Sequence, residues 1–425
     1  MAKRRTPAYQ VADLDLAPFG VRRIEWAARA MPVLGQVRAR FTAERPLDGV
    51  RIAACLHVTA ETANLLRSLA AGGADVALCA ANPLSTQDDT AAALVHDYGL
   101  DVYAEAGVDR EQYYEHISAV LDGKPDLVLD DGCDLTSTLH AHRPELLGQV
   151  RGGCEGTTTG VVRLRRMAAA GALRIPMLAV NDTRTKRMFD NRYGTGQSTV
   201  DAIMRATNML FAGRTVVVAG FGYCGRGVAE RARGLGAHVI VTEIDPVQAL
   251  DAAMQGFAVE PMQEAAAKGD VFVTVTGNRD VVTRNHFAAM KDGAVLANCG
   301  HFDVEIDVKG LREDAVDVVS EVRPNVDEYV LDDGRRLLLL TEGRLANLGA
   351  AEGHPASVMD LSFADQALAT AWLAEHVDDL DAGVYDVPDE IGKDVAALAL
   401  DALGVRIDAL SDGQRAYLNS WEHGS

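Results

Sequence analysis

The fold is decided by an apolar run that leads directly into closely spaced glycines, Val216-Val-Val-Ala-Gly220-Phe-Gly222-Tyr-Cys-Gly225-Arg-Gly227. In a turn of this kind the first glycine permits the sharp bend and the second lets a pyrophosphate approach the backbone. The third lets the following helix pack closely on the strand. The phosphates then meet the positive end of that helix. We therefore expect Gly220, Gly222, Gly225 and Gly227 to hold a dinucleotide.

The next apolar run, Val239-Ile-Val-Thr, ends at Glu243. A carboxylate here can accept hydrogen bonds from both ribose hydroxyls of the dinucleotide, and it would repel a 2′-phosphate, so Glu243 favours NAD over NADP. Roughly half of the chain precedes the turn, which predicts a separate domain that faces the cofactor across a cleft. Residues that follow later strand ends are expected to face the same cleft: Thr276, Asn298, Cys299, Gly300 and His301.

The composition bounds the class of protein. A chain of 425 residues is too long for one hydrophobic core and predicts two domains or more. A formal net charge of −20 argues against nucleic acid as a partner, because phosphates need a basic face. Six scattered cysteines without a C-x-x-C pair fit neither a disulfide framework nor a zinc site, so we expect no metal and a reducing compartment.

The sequence shows neither a secretory signal nor a membrane-spanning segment. The basic start Met1-Ala-Lys-Arg-Arg has no apolar stretch after it, so it is not read as a secretory signal. No run approaches the roughly 18 apolar residues that a membrane helix needs. We expect a cytoplasmic protein with a small-molecule substrate and no membrane partner.

Strand and helix patterns alternate along most of the chain, as in parallel α/β sheets. Helical periodicity covers 21–42. Strands are predicted over 50–58, 75–79, 126–129 and 176–180, with a helix over 61–71. After a helix over 198–209, a second unit has strands over 215–219, 238–242, 271–274 and 294–298, and helices follow over 357–376 and 389–403.

Polar residues stand where the strands of the first unit end. His57, Thr59 and Glu61 follow its first strand, Asp131 follows its third, and Asn181 follows its fourth. In open α/β sheets ligands bind beyond the carboxyl ends of the strands, so this unit is predicted to be a binding domain.

Lys186 is notable because the chain has 34 arginines and only 7 lysines. A lysine can shift its pKa and act as an acid or base, whereas arginine stays charged. On a helical turn Lys186 and Asp190 share a face, which predicts an ion pair at least. Taken by composition alone, a surface lysine is the favoured interpretation of Lys186.

With these segments in view, the chain resembles the S-adenosyl-L-homocysteine hydrolase family over nearly its whole length. The matching stretches run in the family's order: Leu56-His-Val-Thr-Ala-Glu-Thr62, Asp130-Asp-Gly-Cys-Asp-Leu-Thr136, Glu155-Gly-Thr-Thr-Thr-Gly160, Val180-Asn-Asp-Thr-Arg-Thr-Lys-Arg-Met-Phe-Asp-Asn191, Val217-Val-Ala-Gly-Phe-Gly222, Gly300-His-Phe-Asp-Val-Glu-Ile-Asp307, Glu342-Gly-Arg-Leu-Ala-Asn-Leu-Gly349, Gly353-His-Pro355 and Tyr417-Leu418.

The resemblance implies an α/β fold with two Rossmann-like, doubly wound parallel-sheet domains that face a central cleft, and a small C-terminal helical tail. It places a substrate-binding domain at 1–182, completed by about 353–385. An NAD-binding domain is placed at 190–350, and a tail that contributes to the oligomer at 386–425. A homotetramer is implied, with S-adenosylhomocysteine, adenosine and homocysteine as ligands.

The implied reaction uses NAD without net redox change. NAD oxidises the 3′-hydroxyl of the adenosyl ribose to a ketone, which makes the 4′ proton acidic enough for a base to remove. Homocysteine thiolate then leaves the 5′ carbon, water adds, and the retained NADH reduces the ketone. The cofactor performs the difficult step and the protein positions it.

Roles are carried over by matching motifs. Lys186 with Asp190 would take the 3′-hydroxyl proton, Asp131 the 4′ proton, and His57 with His301 would serve water and the leaving thiol. Thr59 and Glu61 would bind adenine, and His354 would close over the adenosine. Besides Gly220, Gly222, Gly225, Gly227, Glu243, Thr276, Cys299, Gly300 and His301, the residues implied to hold NAD are Thr157, Thr158, Thr159, Asn191, Asn298 and Asn347.

Two positions depart from the family pattern. The family usually has a second glutamate before the threonine run, where this chain has Gly156, so that a ribose contact is either lost or made by Glu155. Many members also continue into a tail with lysine and tyrosine that reaches the NAD of a neighbouring subunit, whereas this sequence stops at Trp421-Glu-His-Gly-Ser425. The second departure bears on the retention of NAD and on the contact between subunits.

Three alternatives remain open at this point. The substrate could be S-inosylhomocysteine, in which a keto oxygen replaces the adenine amine, although an ionised Glu61 should disfavour it. The chain could be a dehydrogenase that releases NADH, but the Lys186–Asn191 segment has no place in that scheme. It could also be a non-catalytic relative, against which the full set of polar residues argues.

Overall fold

The computed structural model describes residues 7–421. The predictions made for Met1–Arg5 and for Glu422–Ser425 lie outside this range. The strands are β1 Tyr9–Gln10, β2 Arg51–Leu56, β3 Asp75–Ala80, β4 Asp101–Tyr103, β5 Leu127–Asp130, β6 Gly152–Glu155, β7 Pro176–Ala179, β8 Thr215–Ala219, β9 His238–Thr242, β10 Ala258–Val259, β11 Val271–Thr274, β12 Ala294–Asn298, β13 Ala315–Arg323, β14 Val326–Leu331, β15 Arg336–Leu340 and β16 Gly383–Asp386.

Helices connect most of these strands. They are α1 Ala17–Ala28, α2 Pro32–Glu44, α3 Ala60–Ala71, α4 Asp88–His96, α5 Arg110–Asp122, α6 Asp134–His142, α7 Thr158–Ala169, α8 Arg184–Lys186, α9 Thr195–Thr207, α10 Tyr223–Gly234, α11 Pro246–Met254, α12 Met262–Ala265, α13 Arg284–Phe287, α14 Val308–Asp314, α15 Ala346–Gly349, α16 Ala356–His376, α17 Asp389–Ala402 and α18 Asp412–Leu418. A π-helix covers Arg187–Gly194, and short 3-10 helices cover Leu14–Leu16, Pro83–Ser85, Pro144–Leu146, Val180–Asp182, Thr341–Gly343 and Val377–Asp379.

The strands form two sheets of eight. The first sheet has the order β1-β4-β3-β2-β5-β6-β7-β16, and all its neighbouring strands are parallel. The second has the order β10-β9-β8-β11-β12-β15-β14-β13 and is parallel up to β15. Its last two strands pair antiparallel. The predicted fold of two mostly parallel, doubly wound sheets is confirmed.

Each sheet is buried on both faces, which explains the continuous apolar runs of its central strands. Side chains alternate between the two faces of a strand. In β2, Ile52, Ala54 and Leu56 belong to one apolar cluster, while Ala53 and Cys55 belong to the cluster on the opposite face. The same alternation in β8 separates Val216 and Val218 from Val217.

Sequence patterns located the central strands to within one or two residues, but other elements differ from the prediction. The helix predicted over 21–42 is two helices, because α2 begins at Pro32, whose ring cannot continue α1. The antiparallel β13–β14 pair was not predicted, and neither was α18 in the tail.

The chain crosses between the two sheets twice. Strand β16 returns from the far side of the second sheet to pair with β7 of the first, and α17 contacts α2 through an ion pair between Arg40 and Asp394 at 3.2 Å. The division into domains stays a proposal. No helix between residues 7 and 421 is both long enough and apolar enough to span a bilayer.

Candidate active site

A cavity of about 1300 Å³ lies between the carboxyl ends of the two sheets. It is larger than the roughly 300–1,000 Å³ that a single small ligand usually occupies, so there is room for two ligands side by side. Residues that follow strands of the first sheet form one half of its lining, and residues that follow strands of the second form the other half.

Both sheets turn their topological switch points toward this cavity. In the first sheet the strand order reverses between β2 and β5, and these strands lead to His57 and Asp131. In the second it reverses between β8 and β11, which lead to Gly220 and Thr276. Ligands of open α/β sheets bind at such points, because loops diverge there and leave a crevice.

Lys186 is the last residue of α8, and the segment that follows it, Arg187–Gly194, is a π-helix rather than the expected α-helical turn. Because its hydrogen bonds join residues five apart, Lys186 reaches both Asp190 and Asn191. Its Nζ lies 3.1 Å from Asp190 Oδ2 and donates to Asn191 Oδ1 at 2.7 Å. The predicted pairing of Lys186 with Asp190 is therefore present, and Asn191 joins it. A lysine held by two oxygens has a fixed orientation in the cavity.

Asp190 is 2% exposed and is surrounded by donors. Its Oδ2 accepts from Ser362 Oγ at 2.8 Å, and its Oδ1 contacts His354 Nδ1. Burial opposes ionisation, but Lys186 and His354, together with these hydrogen bonds, outweigh it and hold the pKa of Asp190 well below its usual range. Asp190 is therefore a permanent carboxylate that anchors the cluster.

The pKa of Asp131 is shifted in the opposite direction from that of Asp190. Burial raises its pKa to about 7, against an attraction from Lys186 and with help from the negative charges of Asp130 and Asp190. A carboxyl group with a pKa near neutrality can both accept and release a proton at physiological pH. Asp131 and Asp190 face the same cavity, and their surroundings shift their pKa values in opposite directions.

His57 and His301 come from different sheets and meet in the cavity, with ring centroids 5.8 Å apart. Burial lowers the pKa of His57 to about 3 and that of His301 to about 4. His57 Nδ1 lies 2.6 Å from Ser85 Oγ, which fixes its ring. Gly132, at φ 102°, leaves room for the His301 ring, because a Cβ there would collide with Nε2. Both imidazoles are neutral at pH 7.

Thr59, Glu61 and His354 line one end of the cavity. Thr59 is the N-cap of α3, and its Oγ1 accepts from Thr62 N at 3.4 Å. Glu61 lies in the first turn of that helix, where burial raises its pKa. The three side chains combine acceptors and donors, as recognition of a planar heterocycle requires.

The glycine turn after β8 has the geometry that a dinucleotide needs. Gly220 has φ 100°, and a Cβ on Gly225 would collide with the Gly220 carbonyl oxygen, so helix and strand are in close contact there. At Gly222 an added Cβ would meet no atom of the described chain within 4 Å. Helix α10 begins after Gly222 with no side-chain cap among residues 7–421, which leaves its first N–H groups to a ligand.

The residues present fit NAD in two further respects. Glu243, at the end of β9, lines the cavity and accepts from the backbone N–H of Phe221 at 2.6 Å and of Ile244 at 2.7 Å. Asn347 also lines the cavity, and its buried Oδ1 has no hydrogen-bond partner within the described chain. An unpartnered acceptor beside the turn matches a polar ligand such as a carboxamide.

Most of the other predicted cofactor residues line the same cavity: Thr157, Thr158, Thr159, Asn191, Gly220, Thr276, Cys299, Gly300 and His301. Three predicted cofactor residues stand behind this lining. Gly225 packs on Gly220, and Gly227 packs on the carbonyl group of Arg192. Asn298 is buried and donates to the carbonyls of Gly300, Phe302 and Gly343. These residues shape the cavity wall, and their predicted contact with the cofactor stays a prediction.

Comparison with known proteins agrees with this geometry. Residues 8–145 match the family model for S-adenosyl-L-homocysteine hydrolase, and residues 191–353 match the model for its NAD-binding domain. An adenosylhomocysteinase from Aquifex aeolicus (strain VF5) is 60% identical over 417 residues, which are 98% of this chain and 100% of the relative. The chain belongs to the S-adenosyl-L-homocysteine hydrolase family.

Other members of the family are nearly as similar. The adenosylhomocysteinase from Gloeobacter violaceus is 56% identical over 420 residues, 98% of this chain and 97% of the relative. The one from Pyrococcus abyssi is 54% identical over 420 residues, 99% of both chains. The predicted family and the predicted use of NAD are confirmed, and the alternatives of another substrate or of a dehydrogenase are not favoured.

Gly156, where the S-adenosyl-L-homocysteine hydrolase family usually has a glutamate, lines the cavity. A Cβ there would collide with Asp131 Oδ1, so the Asp131 carboxylate itself occupies this space. Glu155 does not replace the missing side chain. It is fully buried, and its Oε1 accepts from Gly132 N at 3.0 Å and from Thr157 N at 2.8 Å. The suggestion that Glu155 makes the ribose contact does not fit this position.

Four residues that support the site escaped the sequence analysis. Ser85 holds His57, and Ser362 holds Asp190. Glu305 accepts from Thr276 N at 3.0 Å and Gly277 N at 2.7 Å and so shapes a cofactor loop. Gln366 lines the cavity beside Gly156. A signal existed for Ser362 and Gln366, because they are polar residues four apart and therefore share one face of α16.

Proposed function

We propose that this chain catalyses the reversible hydrolysis of S-adenosyl-L-homocysteine to adenosine and L-homocysteine with NAD as cofactor. One observation carries the proposal beyond family membership. The oriented Lys186–Asp190 pair and the near-neutral carboxyl of Asp131 face the same cavity as an open, uncapped glycine turn. This arrangement combines a cofactor site with the acids and bases that the reaction needs.

When bound, NAD supplies the reversible oxidation of the ribose at C3′, which makes the C4′ proton acidic enough for a side chain to remove. Backbone N–H groups at Gly222 would hold the pyrophosphate, Glu243 the ribose hydroxyls and Asn347 the carboxamide end. The remaining lining residues proposed to hold it are Thr157, Thr158, Thr159, Asn191, Gly220, Thr276, Cys299, Gly300 and His301.

Lys186 takes the proton of the 3′-hydroxyl in this scheme. Asp190 and Asn191 hold its Nζ in place and direct it into the cavity. Because Asp190 stays ionised, it stabilises the ammonium that forms when Lys186 accepts the proton. General acid–base catalysis by a positioned side chain accounts for roughly 10²–10⁴-fold in rate.

Asp131 removes the C4′ proton and later returns it. Its pKa of about 7 suits both directions, because a group that titrates near the working pH can serve as base and as acid. His57 and His301 stay neutral because their pKa values are depressed. A neutral imidazole can take a proton from the water that adds to C5′ after the thiolate has left, and the imidazolium then returns this proton to solvent, from which the released thiolate is protonated.

Thr59, Glu61 and His354 bind the adenine end of the substrate in this proposal. An ionised carboxylate accepts from the exocyclic amine of adenine and repels a keto oxygen at the same position. His354 is already tied to Asp190 and lies next to Pro355, which precedes α16. Through this contact, the residues proposed to bind adenine are connected to the residues proposed to act on the ribose.

A cytoplasmic location and a homotetramer are also proposed. The six cysteines support the first, because all six are free thiols, as a reducing compartment favours. Exposed apolar side chains in the tail, among them Leu403, Ile407 and Trp421, support the second, because such residues favour burial against another subunit.

The test is to incubate the purified protein with S-adenosyl-L-homocysteine and, separately, with S-inosyl-L-homocysteine, and to measure thiol release. We expect faster turnover of the adenosyl compound. A Glu61→Gln variant should lose part of this preference, because an amide can donate to a keto oxygen. Faster cleavage of the inosyl compound by the unmodified protein would overturn the substrate assignment.

A further inference from the structure

Gln366 is a buried polar residue of α16 whose side chain reaches the cavity. It is 3% exposed, and its amide nitrogen Nε2 has no hydrogen-bond partner within residues 7–421. A buried donor without a partner is uncommon in native proteins and calls for a ligand or an ordered water. Because Gln366 lines the cavity, the substrate itself can supply the acceptor.

The position of Gln366 relates it to both reactive carboxylates. Ser362 lies one helical turn earlier on the same face of α16 and donates to Asp190 Oδ2 at 2.8 Å. Gln366 Oε1 lies 3.7 Å from the place where a Cβ on Gly156 would stand, and Asp131 Oδ1 also borders that place. One face of α16 thus extends from Asp190 to Asp131, along the edge where the ribose is proposed to bind.

The chemistry of the neighbours indicates what Gln366 contributes. Asp131 and Asp190 are acceptors when ionised, so a ribose hydroxyl next to them donates its proton and its oxygen still needs a donor. Gly156 has no side chain to offer, and Glu155 is engaged behind the wall with Gly132 and Thr157. Gln366 borders this place with its amide oxygen Oε1, and the unpartnered Nε2 of the same amide is the donor it has to offer.

We propose that Gln366 is a substrate-binding residue whose side-chain amide donates a hydrogen bond to the 2′-hydroxyl of the adenosyl ribose. The inference rests on the proposed function, which assigns the 3′-hydroxyl to Lys186 and C4′ to Asp131. The 2′-hydroxyl is the remaining hydroxyl of the ring. Gly156 contributes no side chain here, and the atoms nearest to the position of its missing Cβ belong to Asp131 and Gln366.

The test compares adenosine with 2′-deoxyadenosine as ligands of the NAD-loaded protein by calorimetry. The variants are Gln366→Met, which keeps size and removes both polar atoms, and Gln366→Glu, which keeps shape and removes the donor when ionised. We expect both variants to bind adenosine about five- to tenfold more weakly, as loss of one neutral hydrogen bond predicts. Binding of 2′-deoxyadenosine should change by less than about twofold.

Equal weakening of both nucleosides would show a merely structural role and overturn the proposal, and so would unchanged binding of adenosine. Thermal unfolding and NAD content show whether a variant is misfolded. If Gln366→Met or Gln366→Glu is misfolded, a Gln366→Asn variant, whose side-chain amide reaches less far into the cavity, is measured instead. Turnover of S-adenosyl-L-homocysteine by the unmodified protein is measured separately. Its absence would overturn the proposed function, whereas the nucleoside comparison tests Gln366 by binding alone.

Discussion

The two halves of the cavity are built by different means. The half that belongs to the first sheet presents buried titratable side chains, and burial or neighbouring charges shift the pKa values of Asp131, Asp190 and His57. The half that belongs to the second sheet presents the glycine turn with Gly220 and Gly222, and it contributes His301 to the proposed catalytic residues. The first half is suited to moving protons, and the second to fitting one cofactor closely.

Carboxylates illustrate the difference. In the second half, Glu243 and Glu305 accept hydrogen bonds from backbone N–H groups of the loops beside them. They hold loop shape rather than exchange protons. In the first half, Asp131 faces a cavity in which its own titration is the useful property. Substitutions should therefore affect rate in one half and cofactor affinity in the other.

The largest effect is expected from Lys186→Met. Removal of the amine eliminates the group that takes the 3′-hydroxyl proton, so kcat should fall by at least about 100-fold. Bound NAD, measured after denaturation, should be retained because the cofactor half is unchanged. Lys309→Met is the matched control, since Lys309 is 88% exposed and makes only a long ion pair with Glu313. Undiminished turnover of the Lys186 variant would contradict the mechanism.

Two glycine substitutions in the cofactor half of the cavity distinguish open space for NAD at Gly222 from close backbone packing at Gly225. Gly222→Val places a side chain where no described atom lies within 4 Å, so the protein should fold normally but bind NAD at least about tenfold more weakly. Gly225→Val forces a collision with the Gly220 carbonyl and should lower the free energy of unfolding by about 1–3 kcal/mol. NAD titration and thermal unfolding measure both. Identical behaviour of the two variants would refute this distinction.

The pH dependence of kcat/KM should reflect Asp131. The base must be ionised, and burial raises its pKa to about 7, so activity should rise as pH increases through about 7 and be lost below it. His57 and His301 have lowered pKa values of about 3 and about 4, so they should add no further limb between about pH 5 and pH 9. An Asp131→Asn variant should show residual activity without this limb. A profile that falls through pH 7 would contradict the assignment.

The smallest effect is expected from Thr157→Ala. Thr157 is the N-cap of α7, where its Oγ1 accepts from Gly160 N at 3.0 Å and donates to Glu155 Oε1 at 2.7 Å. Loss of the cap should cost about 1 kcal/mol of stability, and Thr157→Ser should restore it. Chemical denaturation of the two variants gives this difference. A serine variant as unstable as the alanine variant would argue against the capping role.

The strands and the strand-end residues of the site were predictable from the sequence, and the reason is physical. Parallel strands buried on both faces are continuous apolar runs, as in Val216–Ala219, and their ends are marked by glycine or polar residues. Because the carboxyl ends of parallel strands share one edge, the sequence alone assigns His57, Asp131 and Gly220 to a cleft.

The supporting contacts were not predictable in the same way. Ser85 reaches His57 across 28 residues, and Ser362 reaches Asp190 across 172 residues, so no local pattern connects them. The π-helix over Arg187–Gly194 has no periodicity of its own that a short sequence reveals. Gly225 packs against the Gly220 carbonyl group, as the motif predicts, whereas nothing in the motif indicates the close packing of Gly227 on the Arg192 carbonyl group.

The most direct test of the central claim is a single incubation of the purified protein with S-adenosyl-L-homocysteine, followed by analysis of products and of nucleotide released on denaturation. We predict adenosine and homocysteine in equal amounts, NAD in the denatured protein and no accumulation of reduced nicotinamide in solution. Protein that contains no nicotinamide, and whose activity toward the thioether does not appear when NAD is supplied, would contradict the account.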